Sequence, residues 1–290
     1  CDENCSITTA DITFCVDISC YNTATAPTIF GAFNGWNAGA NPVTDPDGDG
    51  IFCTTVTMDQ GAQEYKFFFQ EEEDEDLAPG SPCTVTNFGF TNRIINVVPG
   101  QNETVTYGFG SCGLDCIVQT PQVAAPDPTC VESEVISMFS NSYTDVPVDT
   151  WRTFWSQASL ADVQILGNDT KKYFNVNFLG IETIANQLDV TDMNFFNVDI
   201  WTPNMTTFRV KLVDFGPNGV FQGGDDTEFE IVINNPAQSE WVSLQIPLSD
   251  FVGMNMENIS QLIFSGLPVG GGTVYVDNVY FSHRTWYADN

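Results

Sequence analysis

The sequence predicts an all-β protein built of two β-sandwiches in tandem, and three observations predict it. Runs that alternate polar and apolar residues recur along the whole chain, closed by clusters of Pro, Gly, Asn and Asp, as half-buried antiparallel strands require. Helical periodicity persists nowhere beyond a turn or two. The nine cysteines all lie between Cys1 and Cys130, so the two halves are stabilised by different means.

In the first half the alternating runs are Asp11–Ile18, Phe52–Met58 and Arg93–Val98. In the second they are Tyr173–Phe178, Phe195–Trp201, Thr207–Val213, Glu228–Ile233, Trp241–Ile246, Gln261–Ser265 and Thr273–Phe281. Strands at this spacing suit sandwiches. Between the halves, residues 117–131 carry Pro121, Pro126 and Pro128 without any period. Proline fixes φ and removes a donor, so the stretch reads as an extended connector. The organisation expected is a tether over 1–9, a first sandwich over 10–116, a linker over 117–134, a second sandwich over 135–283, and the start of a further linker or repeat over 284–290.

Composition removes several functions. Lys plus Arg number 8 against 38 Asp plus Glu, a formal charge of 8 − 38 = −30. Such a chain repels phosphate backbones and anionic headgroups, which excludes nucleic acid as a partner. An apolar fraction of 42% with 23 Phe is too rich for disorder. No apolar run reaches the roughly 18 residues that a membrane-spanning helix needs.

Cys112 and Cys116 are close together, but a zinc site wants further paired Cys or His ligands, and the sole His is His283 in the other half. Disulfides, and with them an oxidising compartment, are the better reading. The odd count turns on Cys1. An opening Cys-Asp-Glu-Asn resembles the lipid-modified start of a mature bacterial lipoprotein, and acids directly after it resemble the surface-export signal of Bacteroidetes-type bacteria. Lipidation at Cys1 leaves 9 − 1 = 8 cysteines for four disulfides; alternatively Cys1 pairs with Cys5 or another thiol.

Thr28-Ile-Phe-Gly-Ala-Phe-Asn-Gly-Trp-Asn, then Asp47-Gly-Asp-Gly-Ile-Phe, Glu64-Tyr-Lys-Phe-Phe-Phe and Asn92-Arg-Ile-Ile-Asn-Val follow one another in the first half. That ordered set, over about residues 10–116, resembles the starch- and glycogen-binding modules of immunoglobulin-like sandwich fold. The resemblance implies Trp36 as a stacking platform for a sugar ring, Lys66 as a hydroxyl donor and Asn92 as a bidentate amide. Stacking suits a pyranose because its C–H face is apolar, while polar side chains fix its hydroxyls. The second tryptophan of that family is replaced here by Gln70 and the acids Glu71–Asp76, a self-repelling run that reads as a mobile loop. The alternative for Trp36 is a packing tryptophan at a strand end.

The second half resembles the jelly-roll carbohydrate-binding modules appended to secreted Bacteroidetes glycanases and surface proteins. The residues that carry this are Met138-Phe-Ser-Asn-Ser-Tyr, Val148-Asp-Thr-Trp, Asp192–Trp201, Val210–Gly216, Glu240–Phe251 and Val274–Phe281. It implies carbohydrate binding, and a structural Ca²⁺ held at Asp277 of the closing strand. Trp151, Trp155 and Trp201 are the platform candidates, since loop and strand-end aromatics are placed where ligands reach; Trp241 lies inside an alternating strand and reads as core. Asp225 and Asp226 could chelate Ca²⁺ from a Gly-rich loop. Asp45, Asp47 and Asp49 alternate as in a calcium loop, but the twelfth position is Val56 rather than Glu, and a solvated hairpin turn is the simpler reading.

Catalysis has no recognisable pattern. Glycoside hydrolysis needs two carboxylates held about 5–10 Å apart, and the apolar-interleaved Glu-x-Asp-x-x-Glu strand of sandwich-fold glucanases is absent. The expectation is a non-catalytic polysaccharide-binding protein, extracellular or on the outer-membrane surface. It would hold a glucan-type glycan for a partner transporter or secreted hydrolase. The alternative is a self-associating adhesin or filament subunit. The closing Thr285-Trp-Tyr-Ala-Asp-Asn resembles the opening of Asp-rich calcium repeats, so the chain reads as part of something longer.

Overall fold

A computed structural model describes residues 8–21, 25–69, 73–114, 116 and 120–283. Cys1, Cys5, Glu71, Glu72, residues 117–119 and the 284–290 segment lie outside them, as does most of the expected 1–9 tether. The chain divides into two compact units, Cys1–Thr120 and Pro121–Asn290. Strands dominate both, and each helical element among the described residues is a 3-10 turn of 3 residues. The all-β expectation holds.

The first unit contains β1 (Thr9–Asp17), β2 (Thr28–Gly31), β3 (Ile51–Asp59), β4 (Gly61–Phe69), β5 (Glu73–Asp74), β6 (Thr84–Asn87), β7 (Phe90–Val97) and β8 (Glu103–Gly108). One sheet runs β3-β1-β8, with β1 and β8 parallel; the other runs β2-β4-β7-β6, with β5 also on β4. Alternation does the layering: Tyr65, Phe67 and Phe69 of β4 turn inward to meet Phe14 and Phe109, while Glu64, Lys66 and Phe68 turn outward. Cys15 and Cys53 are opposed on β1 and β3 and joined; Cys20–Cys116 and Cys83–Cys112 close two further loops. Cys130 belongs to the second unit, where burial pushes its thiol up.

The acid run is not simply a solvated loop. Asp74 pairs with Phe68 in the sheet, and Glu75 is 1% exposed. Its carboxylate takes the Arg93 guanidinium in a fork, Nε to Oε2 at 2.9 Å and Nη2 to Oε1, and accepts the Phe67 and Gly110 amides at 3.0 Å. Arg93, wholly buried, donates its remaining hydrogens to the Ser111 and Gly108 carbonyls at 2.9 and 3.0 Å and lies over the Tyr107 ring. A buried charge survives only if paired and fully bonded, which is why Glu75 folds inward onto Arg93.

The second unit contains β9 (Val135–Phe139), β10 (Gln157–Ile165), β11 (Asn168–Glu182), β12 (Phe195–Trp201), β13 (Thr207–Asp214), β14 (Thr227–Asn234), β15 (Trp241–Pro247), β16 (Ile259–Leu267) and β17 (Gly272–Ser282). The order is β14-β13-β16-β11-β17-β12-β15, with β10 also on β11 and β9 on β17. β11 joins two faces of a sandwich: Lys171–Val176 pairs with β17, and Phe178–Glu182 pairs with β16. Asn175, with φ 54°, lies at the register shift between Tyr173 and Val176 in the pairing with β17. The core between the faces holds Phe196, Val198, Ile200, Phe208, Val210, Leu212, Leu262 and Phe264.

The segment expected as a free linker is, from Pro121 onward, part of this unit. Its carbonyls serve as acceptors: Val123 O takes the Trp241 Nε1–H at 2.8 Å, Pro126 O takes Asn278 Nδ2 at 2.9 Å, and Cys130 O takes the Tyr143 hydroxyl at 2.7 Å. A proline-rich stretch lacks donors but keeps its carbonyls, so it serves as a strap along the sheet.

Candidate functional site

The sheet β14-β13-β16-β11 turns one set of side chains into the core and the alternate set outward. The outward rows read Val232, Arg209, Ser265, Phe178; then Glu230, Lys211, Ile263, Gly180; then Glu228, Val213, Gln261, Glu182. Gly180 in mid-strand is explained by what covers it. A Cβ there would lie 2.1 Å from Cη2 of Trp155, so the indole lies directly on the strand backbone, the close approach an in-strand glycine permits.

The loop that carries Trp155 is pinned to the same strand. The Thr153 amide donates to Gly180 O, the Gly180 amide donates to Ser156 Oγ, both at 3.0 Å, and the Thr153 and Ser156 hydroxyls bond each other at 2.8 Å. Phe178 extends the surface, its ring 6.2 Å from the indole with the planes 25° apart. Beyond the aromatics come ion pairs, Lys211 with Glu228 at 3.0 Å and Arg209 with Glu230 at 3.8 Å, and Gln261 donating to Glu182 at 2.9 Å. The face thus runs from apolar ring surfaces to a field of mixed donors and acceptors. Sequence reasoning named Trp155 but missed Phe178, Arg209 and Lys211. The lone glycine inside an aromatic strand was the signal that could have found the platform.

The other predicted tryptophans are elsewhere. Trp201 is 2% exposed, edge-on to Tyr275 at 5.5 Å. The platform role is corrected to packing. Trp151 packs edge-on against Phe139 at 5.4 Å, under Lys171, with its carbonyl accepting from the Tyr173 hydroxyl. Trp241 is half-buried and tied to the 121–131 strap.

In the first unit the Gly31–Trp36 motif is a turn organised by Asn34. Its Oδ1 accepts the Gly31 amide at 3.0 Å and its Nδ2 donates to Asn37 O and Asn41 Oδ1. Gly31 has no room for a side chain, because a Cβ would sit 2.4 Å from Glu64 O. The turn leaves Trp36 42% exposed, 5.8 Å from the Phe30 ring, and Phe30 is opposite Lys66 on β4. Asn92 faces the same side but is 7% exposed, and its Nδ2 donates to Glu64 Oε2 at 2.8 Å. The bidentate sugar contact expected of Asn92 is corrected: the side chain is buried, and one of its two amide hydrogens is held by Glu64.

Asp277 and Asp199 face one another on β17 and β12. Asp277 accepts from the Asn278 amide at 2.7 Å and Asn168 Nδ2 at 2.5 Å; Asp199 accepts from Asn278 Nδ2 at 2.7 Å. Burial first, and for Asp277 also the neighbouring Asp199 charge, pushes their carboxyls up, Asp199 to about 6 and Asp277 to about 7. Among the described residues no Lys or Arg ion-pairs with either. Two buried acids supply hard oxygen donors, which suit a cation in kind, while the Asn278 side-chain nitrogen lies between Asp199 and the Pro126 carbonyl and donates to both. Asp225 and Asp226 instead tie their own loop, accepting from the Asn218 and Gln222 amides, although Asp226 Oδ1 is buried without a partner. Asp45, Asp47 and Asp49 bring ligand atoms within 4.8 Å of one another. Asp45 also accepts from the Gly48 and Gly50 amides, and Asp49 from Ile51, as in an Asx-stabilised turn.

No protein-family model and no curated protein matches the chain. Three of the solved structures to which it is similar illustrate the match. The family 30 carbohydrate-binding module of a cellulosomal cellulase of Clostridium thermocellum matches at 17% identity, over 54% of this chain and 99% of that one, with a TM-score of 0.41. The family 11 module from the same organism, in complex with a β-1,3-1,4-mixed-linked tetrasaccharide, matches at 18%, 51%, 95% and 0.36. A family 29 module variant complexed with mannohexaose matches at 12%, 54%, 97% and 0.36. Likeness this distant assigns no residue of this chain a role.

Proposed function

We propose that the chain is a non-catalytic polysaccharide-binding protein that holds a neutral, glucan-type glycan on the outer face of β14-β13-β16-β11. The observation that carries this reading is the Trp155 indole laid over Gly180 beside Phe178. A flat, partly exposed aromatic surface fits the C–H face of a pyranose, and the adjoining Arg209, Lys211, Glu228 and Glu230 supply donors and acceptors for its hydroxyls. Charge neutrality of those pairs, in a chain of net −30, favours an uncharged polymer. The acids with raised pKa, Asp199 and Asp277, are covered by the 121–131 strap and have no access to a glycosidic bond.

Three disulfides accord with a secreted or extracellular protein, and among the described residues no helix is long and apolar enough to cross a membrane. Surface anchoring through Cys1, and service to a transporter or hydrolase, belong to the same proposal. Ca²⁺, where bound, would be held by Asp277 and Asp199, and would supply the positive charge those buried acids lack. Affinity electrophoresis through gels containing mixed-linked β-glucan, laminarin, mannan or starch tests the function. Retardation of the native chain that Trp155→Ala weakens is the expected result; no retardation in any gel contradicts it.

A further inference from the structure

We infer that the β6–β7 hairpin tip, Phe88 and Phe90, is a second ring-stacking platform, by which the first unit takes a neutral glycan across its outer sheet face. The inference rests on the glycan-binding reading above, and deepens it for the unit without the Trp155 platform.

Three observations carry it. The first is exposure. Phe88 is fully exposed and Phe90 is 70% exposed, on a chain with ample core to receive phenylalanines. The second is strain. Asn87 and Phe90 are paired across a tight turn whose central residues, Phe88 and Gly89, have φ of 53° and 86°. Glycine takes that conformation freely, whereas a bulky side chain is disfavoured there and Asn or Gly is the ordinary occupant. A residue that neither packs nor suits its turn is not placed for folding, and such outliers gather at functional sites.

The third is position. Phe90 faces the same side as Asn92, two residues on. Asn87 and Asn92 both donate to Glu64, at 2.5 and 2.8 Å, so the hairpin is held against β4. Lys66 follows Glu64 on that face, opposite Phe30, and Trp36 stands beside Phe30 with 42% exposed. Trp36 stands on the β2 side of β4, and the hairpin tip on the β7 side. The face therefore sets aromatic surface on both sides of a polar middle that holds Lys66, Glu64 and, opposite Phe68, Asp74, with no net positive charge. That arrangement complements a neutral polyhydroxyl chain with apolar ring faces. An anionic ligand meets no net positive charge, and the overall charge of −30 opposes insertion into an anionic bilayer.

The test uses the full chain carrying Trp155→Ala, which removes the second unit's platform, with and without Phe88→Ser plus Phe90→Ser. Both phenylalanines lie outside the core, and the urea midpoint checks that the fold is kept. Affinity electrophoresis against starch and mixed-linked β-glucan reads the result, with sedimentation velocity in the absence of glycan. The expected outcome is residual retardation in the Trp155→Ala chain that the tip substitutions weaken about tenfold. Retardation unchanged by the tip substitutions overturns the inference. So does a concentration-dependent dimer that they abolish without altering retardation, because the tip then meets a second copy of the chain. Loss of all retardation in Trp155→Ala alone overturns it too, while leaving the second unit's reading intact. A native chain that no polymer retards ends both.

Discussion

Glu75 shows how little of a residue's fate its neighbours in sequence determine. It lies among six consecutive acids, yet it is the one that meets Arg93 inside the first sandwich. Removing one partner leaves the other charged, buried and alone. Glu75→Gln is expected to lower unfolding stability by about 3–5 kcal/mol, read as a fall in the urea midpoint; a change within error would mean that Arg93 finds another counter-charge. Asp199 and Asp277 make the opposite prediction, because their folded pKa values, about 6 and about 7, lie above those of an unfolded chain. The folded state then binds more protons, so this contribution to stability is complete below about pH 4 and is lost as pH rises through both values. In chelator, Tm should fall on going from acid to neutral pH. Asp277→Asn should flatten the fall, and added Ca²⁺ should raise Tm most at neutral pH. A Tm that rises with pH in chelator would contradict the assignment.

At the level of elements, the strands were largely legible. The alternation over Phe195–Trp201 and Thr207–Val213 matches β12 and β13 to within a residue, because half-buried strands must alternate. β10 was not legible: Gln157–Ile165 shows no clean period, being half-exposed along most of its length. Trp201 misled for a different reason. It points outward on its strand, as the pattern says, but its outer face is closed off within the unit, and local periodicity does not report contacts between distant segments. The 121–131 strap is such a contact, and Asn92 was legible as to its face but not as to the Glu64 carboxylate that occupies it. Among the disulfides, Cys20–Cys116 closes the longest loop, with a separation of 96 residues. Replacing that pair by Ser should cost about 4.7 kcal/mol, more than either shorter loop by the chain-entropy estimate, and thermal unfolding of the three paired-Ser variants gives the ranking.

For the whole molecule, the charge of −30 and the absence of cysteine beyond Cys130 describe two units that meet the outside in the same solvent but hold together differently. The first is stapled and ion-paired; the second relies on a large apolar core. The charged outward row of the edge strand β14, Glu228 and Glu230, discourages edge-to-edge pairing, which weighs against a filament of stacked sheets. Two glycan-holding units on one chain would raise avidity for a polymer that engages both.

The central claim is that the Trp155 indole, seated on Gly180, is the surface a sugar ring meets. Titrating the full chain with a soluble glucan oligosaccharide, and following indole fluorescence alongside the same titration of Gly180→Val, tests it most directly. The valine side chain lifts the indole from the strand without touching the core. A saturable change in the native chain, absent from the variant at an unchanged urea midpoint, is the predicted result; equal binding by both chains would contradict the account.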